Sequence, residues 1–481
     1  MGAFSSGFRR AFALVALAAV SSNALLVSAQ KRPAASRLSE ERRAVHVLNR
    51  LAFGARPGDV ERVLGLGVDN YVEQQLNPSK LDDAALAPKL ERLPTLRMSN
   101  SELLAKYPQP GRLLRRLQRE GNLPPELAAL VRQRQQGAAE PNQNDAATNA
   151  PNADAEKAIA EAMRPETARA GNNNDAQDAA DPQRRAYRQA IAKYMREQGL
   201  ESPQRLIAEL NASRILRAVY SERQLQEVMV NFWTNHFNVY AQKGADRWFL
   251  TSYDRDVIRP NALGNFRDLL EETAKSPAML FYLDNFQSAT PNAQANRRRL
   301  RRQTDDADGA GAMRRGGLFG ARRMRRQAEM GQQQSQQGQP QTAQARQPKR
   351  MRRGINENYA RELMELHTLG VEGGYTQKDV QEVARAFTGW TIFAPRGTGL
   401  YGDDGAEESR AGTFLFNPRM HDSGEKTVLG RKISGGGMEE GEKVLDVLVA
   451  HPSTAKFIAT KLCRFFVSDE PSPALVALVA D

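Results

Sequence analysis

Two long polar segments divide the sequence and restrict what it can fold into. Residues 132–185 are rich in Ala, Asn, Gln, Asp and Pro, and residues 291–353 are rich in Arg and Gln. Neither composition buries enough apolar surface to offset the entropy lost on ordering, so we predict two long disordered inserts. A packed core must therefore be assembled from the three stretches that surround them, which are residues 37–131, 186–290 and 354–481.

The basic character of the chain is confined to one of these inserts. The whole sequence carries a formal net charge of +12. Residues 291–353 contain 16 Lys or Arg and 4 Asp or Glu, so this segment accounts for all of it. A cationic segment of this kind favours contact with a polyanion. No specific nucleic-acid motif accompanies it, and a tolerated insertion without function is the alternative, because surface loops accept long inserts at small entropic cost.

The N-terminus has the pattern of an export signal. A basic "MGAFSSGFRR" precedes an apolar "AFALVALAAV" and a small-residue cleavage pattern, "VSA". We predict a signal peptide at residues 1–29 and a secreted or periplasmic protein without a transmembrane span after its removal. The general secretory route fits this pattern, and Arg9 and Arg10 leave a twin-arginine route open. An uncleaved N-terminal anchor is the alternative.

The three core stretches are patterned as helices. Apolar residues recur at helical spacing between Ser, Thr or Asp starts and Gly or Pro ends. The exception is "TFLFNPRMHDSGEKTVLGRKI", where Phe414 and Phe416 on one side and residues 427–429 on the other flank a turn. We predict an all-α, multi-helix bundle with one small irregular β-hairpin and two long disordered inserts. Cys463 lies among apolar residues of a helix and is expected to be a small buried hydrophobe.

The stretch "NENYARELMELHTLGVEGGYTQKDVQEVARAFTGW" predicts a helical hairpin with one histidine on its apolar side. On a wheel of 100° per residue, His367 lies near the centre of the apolar arc and Glu362 about 140° away. The two therefore do not form the metal-binding pair of a zincin helix. Gly373 and Gly374 are predicted to end the first helix, and Thr376 begins the second with a capping box.

A second histidine, His236, occupies the apolar arc of "EVMVNFWTNHFNVY". One hypothesis makes His236 and His367 neutral core residues with hydrogen-bonding partners. The other makes them converge on a shared pocket, where they bind a metal ion or transfer a proton. The spacing in the sequence leaves both open, and no cofactor is indicated.

A third group of candidates lies in the predicted β-hairpin. His421 and Asp422 are consecutive, and Lys426 follows closely. Loops host functional residues more often than helix faces do, so this group is a candidate site, with a turn-forming role as the alternative. No nucleophile elbow, P-loop, zincin helix or CxxC motif accompanies it.

Six blocks of the sequence occur in the order typical of one family. They are "HVLNRLAFG", "FWTNHFNV", "NENYARELMELHTLGV", "YTQKDVQEVARAFTGW", "HDSGEKTVLG" and "HPSTAKFIATKLCRFFV". Together they resemble a large bacterial family of secreted proteins catalogued as domain of unknown function 1800. The resemblance implies an export signal, a mostly helical fold and genetic pairing with another exported protein encoded nearby, but no established reaction. The family pattern continues beyond "FFVSD", so a C-terminal truncation of the core is expected.

The resemblance also marks individual positions as part of the family pattern, without assigning them a catalytic role. These positions are Asn358, Glu362, Leu363, Glu365, His367, Gly370, Arg385, Gly389, Trp390, His421, Asp422 and Lys426.

Two functional hypotheses follow. The first is an exported interaction or assembly protein of the bacterial cell envelope, whose Arg-rich insert contacts a polyanion. The second is a metal-assisted, hydrolase-like enzyme. Its pocket would gather the candidates named above, which are His236, His367, Glu362, His421, Asp422 and Lys426.

Overall fold

Helices make up most of the residues that the computed structural model describes, which are 38–137, 182–290, 354–395 and 409–481. The all-α prediction is therefore confirmed. The predicted signal peptide and the Arg-rich insert lie outside the described residues, as does most of the first insert. In the described part of the chain, none of the helices has both the length and the apolar character needed to cross a bilayer.

Nineteen α-helices lie in the described residues. In chain order they are α1 (Glu40–Leu51), α2 (Asp59–Leu66), α3 (Val68–Leu76), α4 (Ala87–Glu91), α5 (Asn100–Lys106), α6 (Pro110–Glu120), α7 (Pro125–Gly137), α8 (Pro182–Glu197), α9 (Gln204–Tyr220), α10 (Gln224–His236), α11 (Asp246–Ser252), α12 (Arg259–Asn261), α13 (Phe266–Lys275), α14 (Pro277–Tyr282), α15 (Glu357–Glu362), α16 (Gln377–Ala386), α17 (Met438–Val449), α18 (Pro452–Phe466) and α19 (Pro473–Ala480). Two π-helical turns, Tyr253–Ile258 and Leu363–Thr368, continue α11 and α15.

Four short strands complete the described structure. They are β1 (Trp390–Ile392), β2 (Phe414–Phe416), β3 (Lys426–Val428) and β4 (Arg431–Ile433). The chain divides into two compact units. Unit 1 contains Met1–Tyr282, Ile392–Phe414 and Ala455–Asp481, and unit 2 contains Leu283–Thr391 and Leu415–Thr454.

Unit 1 is built around buried aromatic and aliphatic side chains. Trp233 on α10 is fully buried, and its indole N–H donates to the carbonyl of Ala262 at 3.0 Å. Close by, Arg259 is held by Glu227 at 2.6 Å and by Asp254 at 3.2 Å. Pairing these charges with one another keeps the buried carboxylates satisfied.

The helices of unit 1 extend into the predicted first insert at both ends. α7 continues past residue 131 to Gly137, and α8 begins at Pro182. Buried Leu117 of α6 and Ile191 of α8 belong to one apolar cluster, which gives these helices a face to pack. The insert predicted from composition begins earlier and ends later than these helix ends. A polar helix end can stay helical because the apolar body of the same helix is packed, and composition does not reveal that packing.

Unit 2 contains the predicted helical hairpin, formed by α15 with its π-helical turn and by α16. α16 begins at the capping box predicted for Thr376 and Asp379, with both reciprocal hydrogen bonds formed. The first helical segment ends at Thr368, before the predicted Gly373 and Gly374, and the chain turns at Gly370 with φ +82°.

The π-helical turn changes which side chains of this segment are buried. The wheel predicts Leu366 on the apolar arc and Thr368 on the polar one, but Leu366 is 45% exposed and Thr368 is fully buried. In a π-helix the hydrogen bonds span five residues, and the Thr368 hydroxyl donates to the carbonyl of Leu363 at 2.7 Å. The wheel is therefore wrong for Leu366 and Thr368, because it assumes regular α-helical spacing, whereas His367 is buried as predicted.

The predicted β-hairpin exists, but its strands are paired differently. β3 pairs with β4 in antiparallel register, with Val428 opposite Arg431, while β2 pairs with β1 in a separate sheet. The turn between β3 and β4 is Leu429-Gly430, with φ of +48° and +75°. Positive φ at both central residues is typical of a two-residue type I′ turn, so the strand after the turn is the nearest partner for β3.

This turn generates a test of backbone strain. Gly430→Ala is expected to lower the free energy of unfolding by about 1–2 kcal/mol, because a Cβ disfavours left-handed backbone. Space is not the limit, since nothing lies within 4 Å of a Cβ built there. Leu429→Gly is expected to raise the free energy of unfolding by up to about 1 kcal/mol, as relief of strain exceeds the added flexibility. Urea denaturation measures both, and an unchanged Gly430→Ala variant would contradict the assignment of the turn.

Candidate functional site

Unit 2 brings three of the candidates together around a glutamate. His421 and Asp422 lie in the loop after β2, Lys426 begins β3, and Glu440 lies in the first turn of α17. The side chains of His421 and Glu440 are each 4% exposed and that of Lys426 is fully buried. The amino end of α17 favours a carboxylate at this position through its dipole.

The Lys426 ammonium has a partner for each of its three hydrogen atoms. It lies 2.5 Å from Oε2 of Glu440, donates to the carbonyl of Gly424 at 2.9 Å, and donates to the carbonyl of Asp422. A buried ammonium is tolerated only when it is paired and fully hydrogen-bonded, and this one is both. Lys426 therefore ties the loop to α17.

His421 adds a second contact to the same glutamate. Its Nδ1 lies 2.8 Å from the carbonyl oxygen of Thr388, which only accepts, so Nδ1 carries a hydrogen. Its Nε2 lies 3.1 Å from Oε2 of Glu440. A hydrogen must lie between these two atoms, and the Lys426 ammonium on the same oxygen favours the carboxylate form of Glu440. The imidazole ring of His421 is thus held on one side by the carbonyl of Thr388 and on the other by the carboxyl group of Glu440.

Asp422 connects this cluster to α16. Arg385 donates to Oδ1 of Asp422 at 3.0 Å and to Glu382 at 2.9 Å, and the N–H of Gly424 also donates to Oδ1 at 3.0 Å. Burial by itself would raise the pKa of Asp422, but these donors and the charge of Lys426 outweigh it, so the pKa lies below its ordinary value of 3.8. We call His421, Asp422, Lys426, Glu440 and Arg385 the loop cluster.

Gly389 allows the loop cluster to pack closely against the end of α16. Its φ is +84°, and a Cβ at this position would lie 2.7 Å from the carbonyl of Asn417 and 3.2 Å from Cβ of His421. Its N–H donates to the carbonyl of Ser288 and its carbonyl accepts from the N–H of Asn417 at 2.8 Å. Only glycine fits both the backbone conformation and the space.

Glu362 and His367 lie elsewhere in unit 2, on α15 and its π-helical turn. His367 is 6% exposed, and Glu362 is half-buried. Burial, and to a lesser degree the charge of Glu365, raise the pKa of Glu362. The hydrogen bonds described for the loop cluster do not include Glu362. The structure therefore groups His421, Asp422 and Lys426 and leaves Glu362 apart from them.

His236 belongs to unit 1, at the C-terminal end of α10, and is 6% exposed. Its Nδ1 lies 2.8 Å from Nζ of Lys461 on α18. Convergence of His236 with His367 stays a prediction, because the two residues belong to different units. Within the described residues, no group of three or more His, Cys, Asp or Glu side chains is arranged to hold a metal ion.

Sequence reasoning missed Glu440, Arg385 and Lys461 as partners of the candidates. A signal for Glu440 was present: Lys426 and Val428 share one face of β3, and Val428 is buried. The alternation of a strand places Lys426 on that same buried face, where an ammonium needs a carboxylate. Which carboxylate supplies it depends on the tertiary structure.

The polar groups of the loop cluster form hydrogen bonds mainly with one another and with the neighbouring backbone. The ammonium of Lys426, both nitrogens of His421 and one oxygen of Glu440 are all engaged in hydrogen bonds. What the geometry achieves is a fixed loop, with Asp422 and Arg385 retained in partial contact with solvent at 17% and 23% exposure.

Removing the carboxylate of Glu440 tests the importance of the buried pair. Glu440→Gln leaves Lys426 buried without its nearest counter-charge, since the other carboxylate paired with it, that of Asp422, lies farther away at 3.8 Å, so we expect the free energy of unfolding to fall by about 3 kcal/mol. Adding Lys426→Met should restore part of this loss, because the uncompensated charge is gone. The matched control is Glu439→Gln on the exposed face of the same helix turn, expected to change stability by less than about 1 kcal/mol. Chemical denaturation of the four proteins measures the coupling, and equal losses at both glutamates would contradict it.

The lowered pKa of Asp422 predicts a pH dependence in acid. A carboxylate whose pKa is lower in the folded state stabilises that state above the unfolded pKa, ordinarily 3.8, and loses this contribution as pH falls through the folded pKa. Wild type should therefore exceed Asp422→Asn in stability by a constant amount above this value, and the difference should shrink at lower pH. Unfolding curves from pH 7 down to about pH 2.5 measure it.

The control for this pH series is Glu425→Gln, which removes a carboxylate from an exposed residue in the same loop. A difference between wild type and Asp422→Asn that stays constant throughout the acid range would contradict the role of Arg385.

Comparison with known proteins agrees with the order of the sequence blocks. No curated protein and no solved structure matches this chain. A family model described as "Protein of unknown function (DUF1800)" matches residues 46–481, a range that contains every residue of the loop cluster as well as His236, Glu362 and His367. The chain therefore belongs to the DUF1800 family of proteins of unknown function.

Proposed function

We propose that this chain is an exported interaction protein of the bacterial cell envelope that binds an anionic polysaccharide through residues 291–353. The observation that carries the proposal is the placement of charge. This one segment contains 16 basic and 4 acidic residues and accounts for the net charge of the whole protein.

The segment is joined to unit 2 at a narrow base. On its two sides, the N–H of Ala289 donates to the carbonyl of Gly354 at 3.2 Å, and the N–H of Asn356 donates to the hydroxyl of Ser288 at 3.1 Å. The chain thus leaves and re-enters unit 2 at neighbouring residues. Insertion at such a point costs only loop-closure entropy, which grows slowly with length, so the fold tolerates a long basic segment here.

The base is also connected to the loop cluster. The N–H of Thr290 donates to the carbonyl of Met420 at 2.8 Å, and Met420 directly precedes His421. The ion pair of Lys426 with Glu440 therefore helps to hold the point from which the basic segment departs. This gives the loop cluster a role that fits its internally satisfied hydrogen bonds: it anchors the binding segment.

A segment with this charge attracts polyanions by long-range electrostatics. Ions in solution screen that attraction, with a Debye length of about 10 Å at 0.1 M salt. Binding should therefore be strong at low ionic strength and weaken steeply as salt is added, without requiring a pocket.

Deleting the basic segment tests the proposal. Replacing residues 291–353 by a short Gly-Ser linker should abolish salt-sensitive binding to heparin, used as the probe polysaccharide, because the net charge of +12 is removed. Elution from a heparin column across a salt gradient and titration in solution at two salt concentrations measure the effect. Residual helicity by circular dichroism checks that the core remains folded.

The chain offers a matched control in its other polar segment. Residues 138–181 contain 3 basic and 9 acidic residues, so deleting them should leave heparin binding intact or strengthen it. Unchanged binding after deletion of residues 291–353 would overturn the proposal. Binding of phosphatidylglycerol vesicles or of DNA in preference to heparin would replace the polysaccharide with a different anionic partner.

A further inference from the structure

Lys461 and His236 form a pair in unit 1 that the proposed function does not use. Lys461 lies in the middle of α18, and His236 ends α10. Nζ of Lys461 lies 2.8 Å from Nδ1 of His236, which is a hydrogen-bond distance. Since one hydrogen lies between the two nitrogens, both groups cannot carry their full complement of protons, and the pair holds at most one positive charge.

The surroundings of this pair are aromatic. Nζ of Lys461 lies 5.1 Å from the centre of the Phe457 ring. The centre of the His236 ring lies 4.5 Å from that of Phe237, which it meets edge-on, 5.5 Å from that of Trp233 and 6.1 Å from that of Phe457. These rings cover part of the pair, and the face of the Phe457 ring stabilises an ammonium less strongly than a carboxylate does.

Half-buried Lys461 therefore differs from Lys426, which is fully buried. Nζ of Lys426 lies 2.5 Å from Oε2 of Glu440. Lys461 has no carboxylate within ion-pair distance among the residues that the structure describes. Burial alone lowers the pKa of Lys461, with no charged group acting on it. Lys426 thus pairs with a carboxylate, whereas Lys461 lies beside an imidazole ring.

A lysine becomes a nucleophile when it is desolvated and a neighbouring base accepts its proton. We propose that Lys461 is a nucleophilic amine that forms an imine with an aromatic aldehyde, with His236 as the general base. The aromatic side chains beside the pair favour a planar, apolar carbonyl compound. Lys461 is half-buried, so part of the residue remains in contact with solvent.

The reaction is a condensation that needs no further reactant. The lone pair of Nζ forms a bond to the carbonyl carbon, and Nδ1 of His236 takes the proton that leaves the nitrogen. His236 passes this proton to the carbonyl oxygen, which gives a neutral carbinolamine and restores the imidazole. His236 then relays the second N–H proton of the carbinolamine to the hydroxyl group, the C–O bond breaks, and the C=N bond forms with release of water, so that the two protons of the amine end in the water molecule.

Trapping of the imine tests this proposal in the full-length chain. Benzaldehyde with sodium cyanoborohydride converts each imine to a stable benzylamine, which peptide mass spectrometry locates. At pH 7 we expect at least about ten-fold faster labelling of Lys461 than of Lys456, because proton transfer to a positioned base accelerates such steps. Lys456 is the internal control, since it lies exposed on the same helix.

Measuring the labelling rate at a series of pH values shows whether Lys461 reacts faster because its amine is more often unprotonated or only because it is accessible. Labelling of Lys461 should approach its maximum at a lower pH than labelling of Lys456, because more of its amine is unprotonated at a given pH. Parallel profiles and equal rates for the two lysines in wild type would overturn the proposal without any variant being made.

Two variants then assign the roles. His236→Gln keeps a hydrogen-bonding side chain but removes the base, and it should slow labelling of Lys461 by about 100-fold while Lys456 is unaffected. Lys461→Arg should abolish the label at that position. Labelling of Lys461 that stays fast in a folded His236→Gln protein would exclude His236 as the base and overturn its part of the proposal.

Discussion

The buried ion pair of Lys426 with Glu440 determines how the loop region of unit 2 is arranged. The side chain of Lys426 is fully buried, and a charge in that position is tolerated only with a counter-charge and a complete set of acceptors. Glu440 supplies the charge, and the carbonyls of Asp422 and Gly424 supply the remaining acceptors. Satisfying one ammonium thus fixes the loop on one side and α17 on the other.

Further hydrogen bonds connect this ion pair to α16. His421 shares the oxygen of Glu440 and reaches the carbonyl of Thr388 at the end of α16. Asp422 reaches Arg385 on α16 itself. The outcome is a loop tied at several points, next to the base from which the basic segment departs.

Lys461 illustrates the opposite solution to the same physical problem. A buried lysine can keep its charge by pairing with a carboxylate, or it can give up its proton more readily. Unit 2 uses the first solution at Lys426. Unit 1 places Lys461 beside Nδ1 of His236 and a phenylalanine ring. The chemical consequences differ accordingly, since a charged, paired ammonium anchors a loop whereas a desolvated amine is available for bond formation.

The amino-acid sequence by itself determined the all-α class, the capping box at Thr376, the burial of Cys463 and the location of the excess positive charge. These follow from local periodicity, capping chemistry and composition, which need no knowledge of distant contacts. The sequence also singled out His421, Asp422 and Lys426 as a group, because they are close along the chain.

Only the tertiary structure decided the partners of these residues. The strand that pairs with β3 depended on a left-handed turn at Leu429, and the burial of Thr368 depended on a π-helical turn, neither of which follows from regular spacing. Likewise, Glu440 meets Lys426, and Lys461 meets His236, across separations that helical or strand periodicity does not describe. Periodicity fixes which side of an element a residue occupies, whereas packing of separate elements fixes what that residue touches, and in this protein the chemistry of each lysine is set by what it touches.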